Sequence, residues 1–175
     1  MLSNSNSAGQ GLQSVSHFTR RTQNSCKMRI YLKMQAIMAR ILLAVLDGKG
    51  EFENLLSQHE VIYAETLNSA LRITEQDSFD AIICGVAFDE SRMFDFLRAI
   101  TADEKFTNVP FICCRVTDSE LINAIFENLQ VSCRLLGAEF VDFHRMKKEG
   151  RQSEFLDVLD KALNGRKSKS NSPNP

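Results

Sequence analysis

Long apolar runs are missing from this chain of 175 residues: none approaches 18 residues, so no membrane-spanning helix is expected. The five cysteines (Cys26, Cys84, Cys113, Cys114 and Cys133) include no CxxC pair, which removes the ligand spacing of a zinc site. Cys84, Cys113 and Cys114 sit inside apolar runs, where buried, reduced thiols of a cytoplasmic protein are expected. Acid is missing from both ends. Residues 1–40 hold six basic residues and no acid, and residues 166–175 hold Arg166, Lys167 and Lys169, again with no acid. All 22 acids therefore lie in residues 41–165 against 12 bases, a net charge near −10. A domain of that sign repels phosphate backbones, so nucleic acid is not an expected partner. Neither GxGxxG nor GxxxxGK[ST] occurs. The "DGKG" of residues 47–50 follows an apolar run, but without those spacings it reads as a loop turn rather than a phosphate cradle.

Hydrophobic residues make up 43% of the chain, enough for one core. Residues 1–38 are rich in Ser, Asn and Gln and lack periodicity, a composition that cannot bury enough area to fold alone. Three readings stand for them: a disordered basic tail, an acid-free leader, or a segment ahead of a true start at Met38, which opens "MARILLAVLD". Residues 39–164 form the expected domain and residues 165–175 a second basic tail, with "GRKSKS" (165–170) either solvated or drawn to an anionic partner.

Within the domain, strand and helix patterns alternate. "RILLAVL" (40–46), "VIYA" (61–64), "DAIICGV" (80–86), "VPFICC" (109–114) and "AEFVDF" (138–143) are short apolar runs of the kind buried on both faces of a parallel sheet. Pro110 stands near the start of its run, where strands tolerate it. Cys113 and Cys114 should point to opposite faces. Helices are expected over 51–58, 66–76 (Leu67, Ala70, Leu71 and Thr74 inward) and 92–100 (Met93, Leu97 and Ile100 inward). A longer fourth helix should be capped by Thr117 and Glu120 and carry Ile122, Ile125, Leu129, Cys133 and Leu136 inward. The last spans 153–165, with Phe155, Leu159 and Leu163 inward and Gly165 as its C-cap. Five strands alternating with five helices imply a parallel sheet with helices on both faces.

The order and spacing of "RILLAVLD", "HEVIYAETLNSAL", "FDAIICGV", "NVPFICCRV" and "GAEFVDF" resemble the receiver domain of bacterial response regulators over about residues 39–164. The resemblance implies a flavodoxin-like α/β fold: a five-stranded parallel sheet in a (βα)5 three-layer sandwich. It also implies a phosphoryl-accepting site of five parts: an acidic pair after the first strand that binds magnesium, an aspartate ending the third, a Ser or Thr after the fourth, a Lys after the fifth, and an aromatic on the fifth. Most of these parts are replaced here. The acidic pair falls on Val45–Leu46 or Leu46–Asp47, the phosphoacceptor on Gly85, the Ser/Thr on Arg115, the Lys on His144 with Arg145 after it, and the aromatic on Val141 between Phe140 and Phe143. A glycine has no nucleophile, and Asp47 alone makes a poor octahedral magnesium site. Asp89 lies four residues past Gly85, too far along the loop to substitute.

Each candidate carries a plain reading beside the functional one. Gly85 lets the loop turn or a neighbour approach. Arg115 captures an anion or pairs with Asp47 or Asp89. His144 titrates near neutrality or is a polar edge residue. The expected function is a degenerate, non-enzymatic receiver-like module with no cofactor and no metal, acting by protein–protein interaction in two-component or phosphorelay signalling. Its partner is another signalling protein or a second copy, through the face of the fourth helix, fifth strand and fifth helix, with Phe126 and Val131 as interface residues. The rival is a small flavodoxin-like enzyme or a nucleotide- or anion-binding domain. Between Arg115 and Gly137 lie 21 residues, and the extra length is expected to extend the fourth helix by about two turns.

Overall fold

The computed structural model describes residues 38–170, with side chains as far as residue 165. The expected amino-terminal tail, leader or early start and the last five residues fall outside them. The elements are β1 (Arg40–Ala44), α1 (Lys49–Leu55), β2 (Glu60–Tyr63), α2 (Leu67–Gln76), β3 (Ala81–Gly85), α3 (Met93–Ala102), a 3-10 turn (Glu104–Phe106), β4 (Phe111–Cys114), α4 (Glu120–Ala124), α5 (Phe126–Leu135), β5 (Glu139–Val141), α6 (Phe143–Lys148) and α7 (Glu154–Ser170). All five strands are parallel in the order β2-β1-β3-β4-β5. This is the expected flavodoxin-like sheet.

The continuous apolar runs are explained by burial on both faces. Leu42, Ala44, Ile82, Cys84, Phe111 and Cys113 face one core, with Leu67, Ala70, Phe96, Leu97, Leu129 and Cys133 from the helices. Their neighbours Ile41, Leu43, Ala81, Ile83, Ile112 and Cys114 face the other, with Phe52, Phe143, Phe155 and Leu159. Cys113 and Cys114 thus part to opposite faces by the two-residue period of a strand. In the second core Phe52 stacks on Phe143 at 4.5 Å, and Phe155 meets both edge-on at 5.5 Å.

Several elements depart from the sequence reading. The fourth helix is two helices, broken at Ile125, where φ is −111° and ψ 11°. The extra length between Arg115 and Gly137 is spent on this break and on the loop before it, not on one longer helix. Ser119 rather than Thr117 precedes the first turn, and no side chain caps it. Ile125, expected inward, is 39% exposed at the break. The fifth strand stops at Val141 because Asp142 turns to cap α6, its Oδ1 accepting from the Arg145 backbone N–H at 3.0 Å. The last helix runs through Gly165 to Ser170, so Gly165 does not end it and the first part of the expected tail is helical. An interior glycine costs about 1 kcal/mol relative to alanine, which weakens a helix without terminating it.

Replacing Phe143 by alanine removes the ring shared by both of its aromatic neighbours. It should lower unfolding free energy by about 3–5 kcal/mol, measured by urea denaturation followed by circular dichroism. A loss below about 1 kcal/mol would show that the triad does not anchor this face.

Candidate functional site

In a parallel α/β sheet, ligands approach the carboxyl ends of the strands. Here that edge is formed by Val45–Asp47 after β1, Gly85 ending β3, Arg115–Thr117 after β4 and Asp142 after β5. At its centre is a cavity of about 10 Å³ bounded by Val45, Gly85, Val86, Phe88, Val116 and Thr117. That is room for about one water molecule. Thr117, which the sequence suggested as a helix cap, lines this space instead.

Gly85 needs neither of its suggested roles. It carries no positive φ, and a Cβ built there would meet Val45 Cγ1 at 3.5 Å, an ordinary contact. At this edge the constrained glycine is Gly48. Its φ is +76°, it opens α1, and a Cβ on it would strike Val116 Cγ1 at 2.7 Å. Glu51 and Phe52 donate their backbone N–H groups to its carbonyl at 3.0 and 3.1 Å. "DGKG" is therefore a helix-opening turn packed under Val116.

Arg115 is paired, but with other acids than the sequence suggested. Its side chain is 11% exposed. Nη1 donates to Asp142 Oδ2 at 3.1 Å, and Nη2 donates to Asp118 Oδ1 at 2.8 Å and Asn123 Oδ1 at 2.5 Å. Asn123 Nδ2 in turn donates to Asp118 Oδ1 at 3.0 Å. The guanidinium lies over the Phe126 ring at 5.6 Å, and Nε is buried without a partner among the described residues. Two carboxylates answer one cation, which leaves no surplus positive charge for an external anion. The hydrogen bond from Asn123, with the positive fields of His144 and Arg115, holds the Asp118 carboxyl below its ordinary value. His144 Nε2 is 3.9 Å from Asp118 Oδ2, and its backbone N–H donates to the Arg115 carbonyl at 2.8 Å. His144 therefore stands at the rim of the same cluster.

Asp47 stands exposed after β1 at the lining of this small cavity, and Asp89 is committed elsewhere. Asp89, Glu90 and Ser91 have φ of 43°, 57° and 69°, a left-handed turn of three non-glycine residues. Such conformations cost on the order of 1 kcal/mol or more each. Asp89 Oδ2 offsets part of this by accepting from the Leu67 backbone N–H at 2.8 Å at the start of α2, and it pairs with Arg92 at 3.5 Å. The left-handed turn left no glycine or asparagine signal in the sequence.

Phe126 is only partly exposed. It is half-buried, edge-on to Phe140 at 5.5 Å and beneath Arg115. The correction follows from the break at Ile125, since Arg115 holds Asn123 on one side of it and covers Phe126 on the other. Val131, the other expected interface residue, is 55% exposed. Burial and mutual proximity push the Cys84 and Cys114 thiols up, and a hydrogen bond with Cys133 together with burial does so for Cys113. These are packing groups rather than nucleophiles. A larger groove of about 390 Å³ lies at the opposite end of the sheet, between Val109, Pro110 and Glu139 and the α7 residues Val158, Lys161 and Ala162, away from this edge.

No family model matches the sequence, and no curated protein does. Solved structures do. The chain is similar to the non-phosphorylated HemR receiver domain from Leptospira biflexa (22% identity, 78% of this chain and 97% of that one, TM-score 0.53). It is also similar to NtrX from Brucella abortus in complex with ADP (20% identity, TM-score 0.61), covering 77% of this chain and only 29% of NtrX. A third is the receiver domain of the sensor histidine kinase PA1611 from Pseudomonas aeruginosa (21% identity, 72% and 98%, TM-score 0.55), which holds a magnesium ion in its active-site cleft. This is the receiver fold. The residues here do not fit such an ion: Asp47 is the one carboxylate on the cavity's lining, Val45 and Leu46 bring no side-chain oxygen, Gly85 no carboxylate, and the cavity has room for about one water. Among the described residues no three metal-ligating side chains come together.

Arg115→Ala should cost about 1.5–3 kcal/mol, as expected for losing hydrogen bonds to charged partners. Arg115→Lys should recover only part, because a single ammonium cannot reproduce the guanidinium fork. Urea denaturation measures both, and a lysine variant as stable as the parent would refute the clasp.

Proposed function

We propose that the domain is a cytoplasmic receiver-like signalling module that acts by binding another protein and accepts no phosphoryl group. The observation that carries this reading is the closed end of β3, where Gly85 faces a cavity of about 10 Å³. The receivers it resembles need an aspartate, a metal and room for a tetrahedral phosphoryl group at that place. Arg115 adds support: it stands where a Ser or Thr would hold a phosphoryl oxygen, and its charge is spent on Asp118 and Asp142. The link that phosphorylation would make and break between the β4 and β5 ends is here a standing ion pair. Binding then remains as the output, and the exposed apolar side chains of α4 and α5 (Leu121, Val131 and Leu135) offer the surface. The rival nucleotide-binding reading has less to rest on, since "DGKG" is held as a turn beneath Val116.

Incubation with a small phosphodonor and magnesium, followed by intact-mass measurement, should leave the protein unmodified. An added phosphoryl group that hydroxylamine removes would overturn the proposal. Gly85→Asp alone should also stay unlabelled. Its Cβ fits against Val45, but the carboxylate would enter a cavity of about 10 Å³ whose lining is mostly apolar, with Asp47 as its one other acid, too little room for a metal and a phosphoryl group together. Burial of that unpaired charge should destabilise the variant as well. Efficient labelling of this single variant would show that the cavity opens enough to admit a phosphoryl group.

A further inference from the structure

The connection from β3 to α3 is wound against the hand of its neighbours. Asp89, Glu90 and Ser91 hold φ of 43°, 57° and 69°, while Ala87 before them and Arg92 after them hold −86° and −84°. No glycine stands among the three, and residues with a Cβ disfavour this hand because the Cβ crowds the following carbonyl. The turn is closed by the Arg92 backbone N–H, which donates to the Phe88 carbonyl at 2.8 Å. That is the i to i−4 bond of an ordinary helix. A right-handed turn over the same residues would keep the bond and lose the crowding. It would also lengthen α3 to residues 89–102 and put Asp89 and Glu90 in its first turn, where the helix dipole favours acids. Local chemistry prefers the hand that the structure does not adopt.

Two contacts hold it there. Asp89 Oδ2 accepts from the Leu67 backbone N–H at 2.8 Å, which ties the turn to the start of α2. Phe88 is fully buried, tilted against Phe96 at 6.0 Å, and forms one wall of the small cavity beside Gly85. Glu90 and Ser91 are exposed, so no packing of theirs fixes the hand. We propose that the β3–α3 turn is a two-state strap: Asp89 latches it left-handed onto α2, and breaking that hydrogen bond lets it rewind right-handed as the first turn of α3. Rewinding reverses the course of residues 89–91 and carries Phe88 off the cavity wall, so the strap sets how far the end of β3 is closed. A partner at this edge is coupled to the cavity when it favours one hand or competes with Leu67 for the Asp89 carboxylate. Its effect is limited to its difference in affinity for the two states.

Nuclear magnetic resonance of the full chain tests the strap. In the parent, residues 89–91 should show the strong intraresidue HN–Hα contact of a positive φ. Relaxation dispersion should show Leu67 and residues 88–92 exchanging at one common rate. Flat profiles overturn the second state. Glu90→Gly and Ser91→Gly should each raise the melting temperature by about 2–4 °C, because glycine takes this hand freely. A fall in both overturns the left-handed turn. Asp89→Ala should move the HN–Hα couplings of residues 90 and 91 to helical values and speed exchange of the Leu67 amide about tenfold or more. Asp89→Asn, which keeps an acceptor oxygen and tolerates positive φ, should stay left-handed. An Asp89→Ala protein that also stays left-handed overturns the latch. If Asp89→Ala does not fold, the dispersion profiles and the glycine variants decide, since both keep Asp89. None of these results bears on the phosphodonor experiment, so failure of the strap and failure of the phosphorylation-independent reading are told apart.

Discussion

A cation placed at the end of a buried strand must be matched, and the matching of Arg115 organises the functional edge. With its side chain 11% exposed, the guanidinium has lost most of its water, and an unmatched charge there would cost several kcal/mol. Its acceptors come from three directions: Asp142 beyond β5, Asp118 in the loop after β4, and Asn123 in α4. Satisfying all three fixes the course of the chain around it. Asp142 is drawn to the strand end, where its other oxygen caps α6. The loop after β4 folds back, and α4 and α5 meet at an angle over Phe126. The break at Ile125, the short fifth strand and the inward turn of Phe126 share this one electrostatic demand.

On the interaction reading proposed above, the same demand suits the edge better to binding than to phosphoryl chemistry. A phosphoryl-accepting pocket needs carboxylates concentrated on a metal and free donors awaiting oxygen atoms. Here the donors of Arg115 are already bonded to the protein's own carboxylates, the acidic-pair positions hold Val45–Leu46 or Leu46–Asp47, and the acceptor position holds Gly85. Around Asp47 and Thr117 the rest of the cavity's lining is apolar, with Val45, Val86, Phe88, Val116 and Ile122 closing in on it. Val116 packs so near Gly48 that even a methyl group there would collide. The fold keeps its strand ends in the usual place while their contents are those of a core.

What could be read from the sequence follows from range. The five strands were legible because burial on both faces writes an uninterrupted apolar run, and the parting of Cys113 from Cys114 needs only the two-residue period. The inward stripes of α2 and α3 were legible for the same local reason. That β3 ends on a glycine was legible once the third strand was placed, since Gly85 is a matter of identity rather than geometry. The partners of Arg115 were not: Asp142 lies 27 residues away and competes with other nearby acids, and only the fold chooses between them. The break at Ile125 was hidden because the inward pattern of Ile122, Leu129 and Cys133 continues across it. The start of α6 did leave a local trace in Asp142 three residues before Arg145, a capping spacing masked by the apolar run of β5.

On the phosphorylation-independent reading, such a module is governed by something other than covalent modification of its strand end. An ion pair made entirely within one chain does not respond to phosphodonor supply, so the Arg115 clasp favours a single arrangement of the β4–β5 edge under most conditions. A ligand shifts an equilibrium only by its differential affinity for the two states. With one state dominant, occupancy of the binding face follows partner concentration by mass action. Weak affinity is then an advantage, because an interface that saturates only at high concentration reports local abundance.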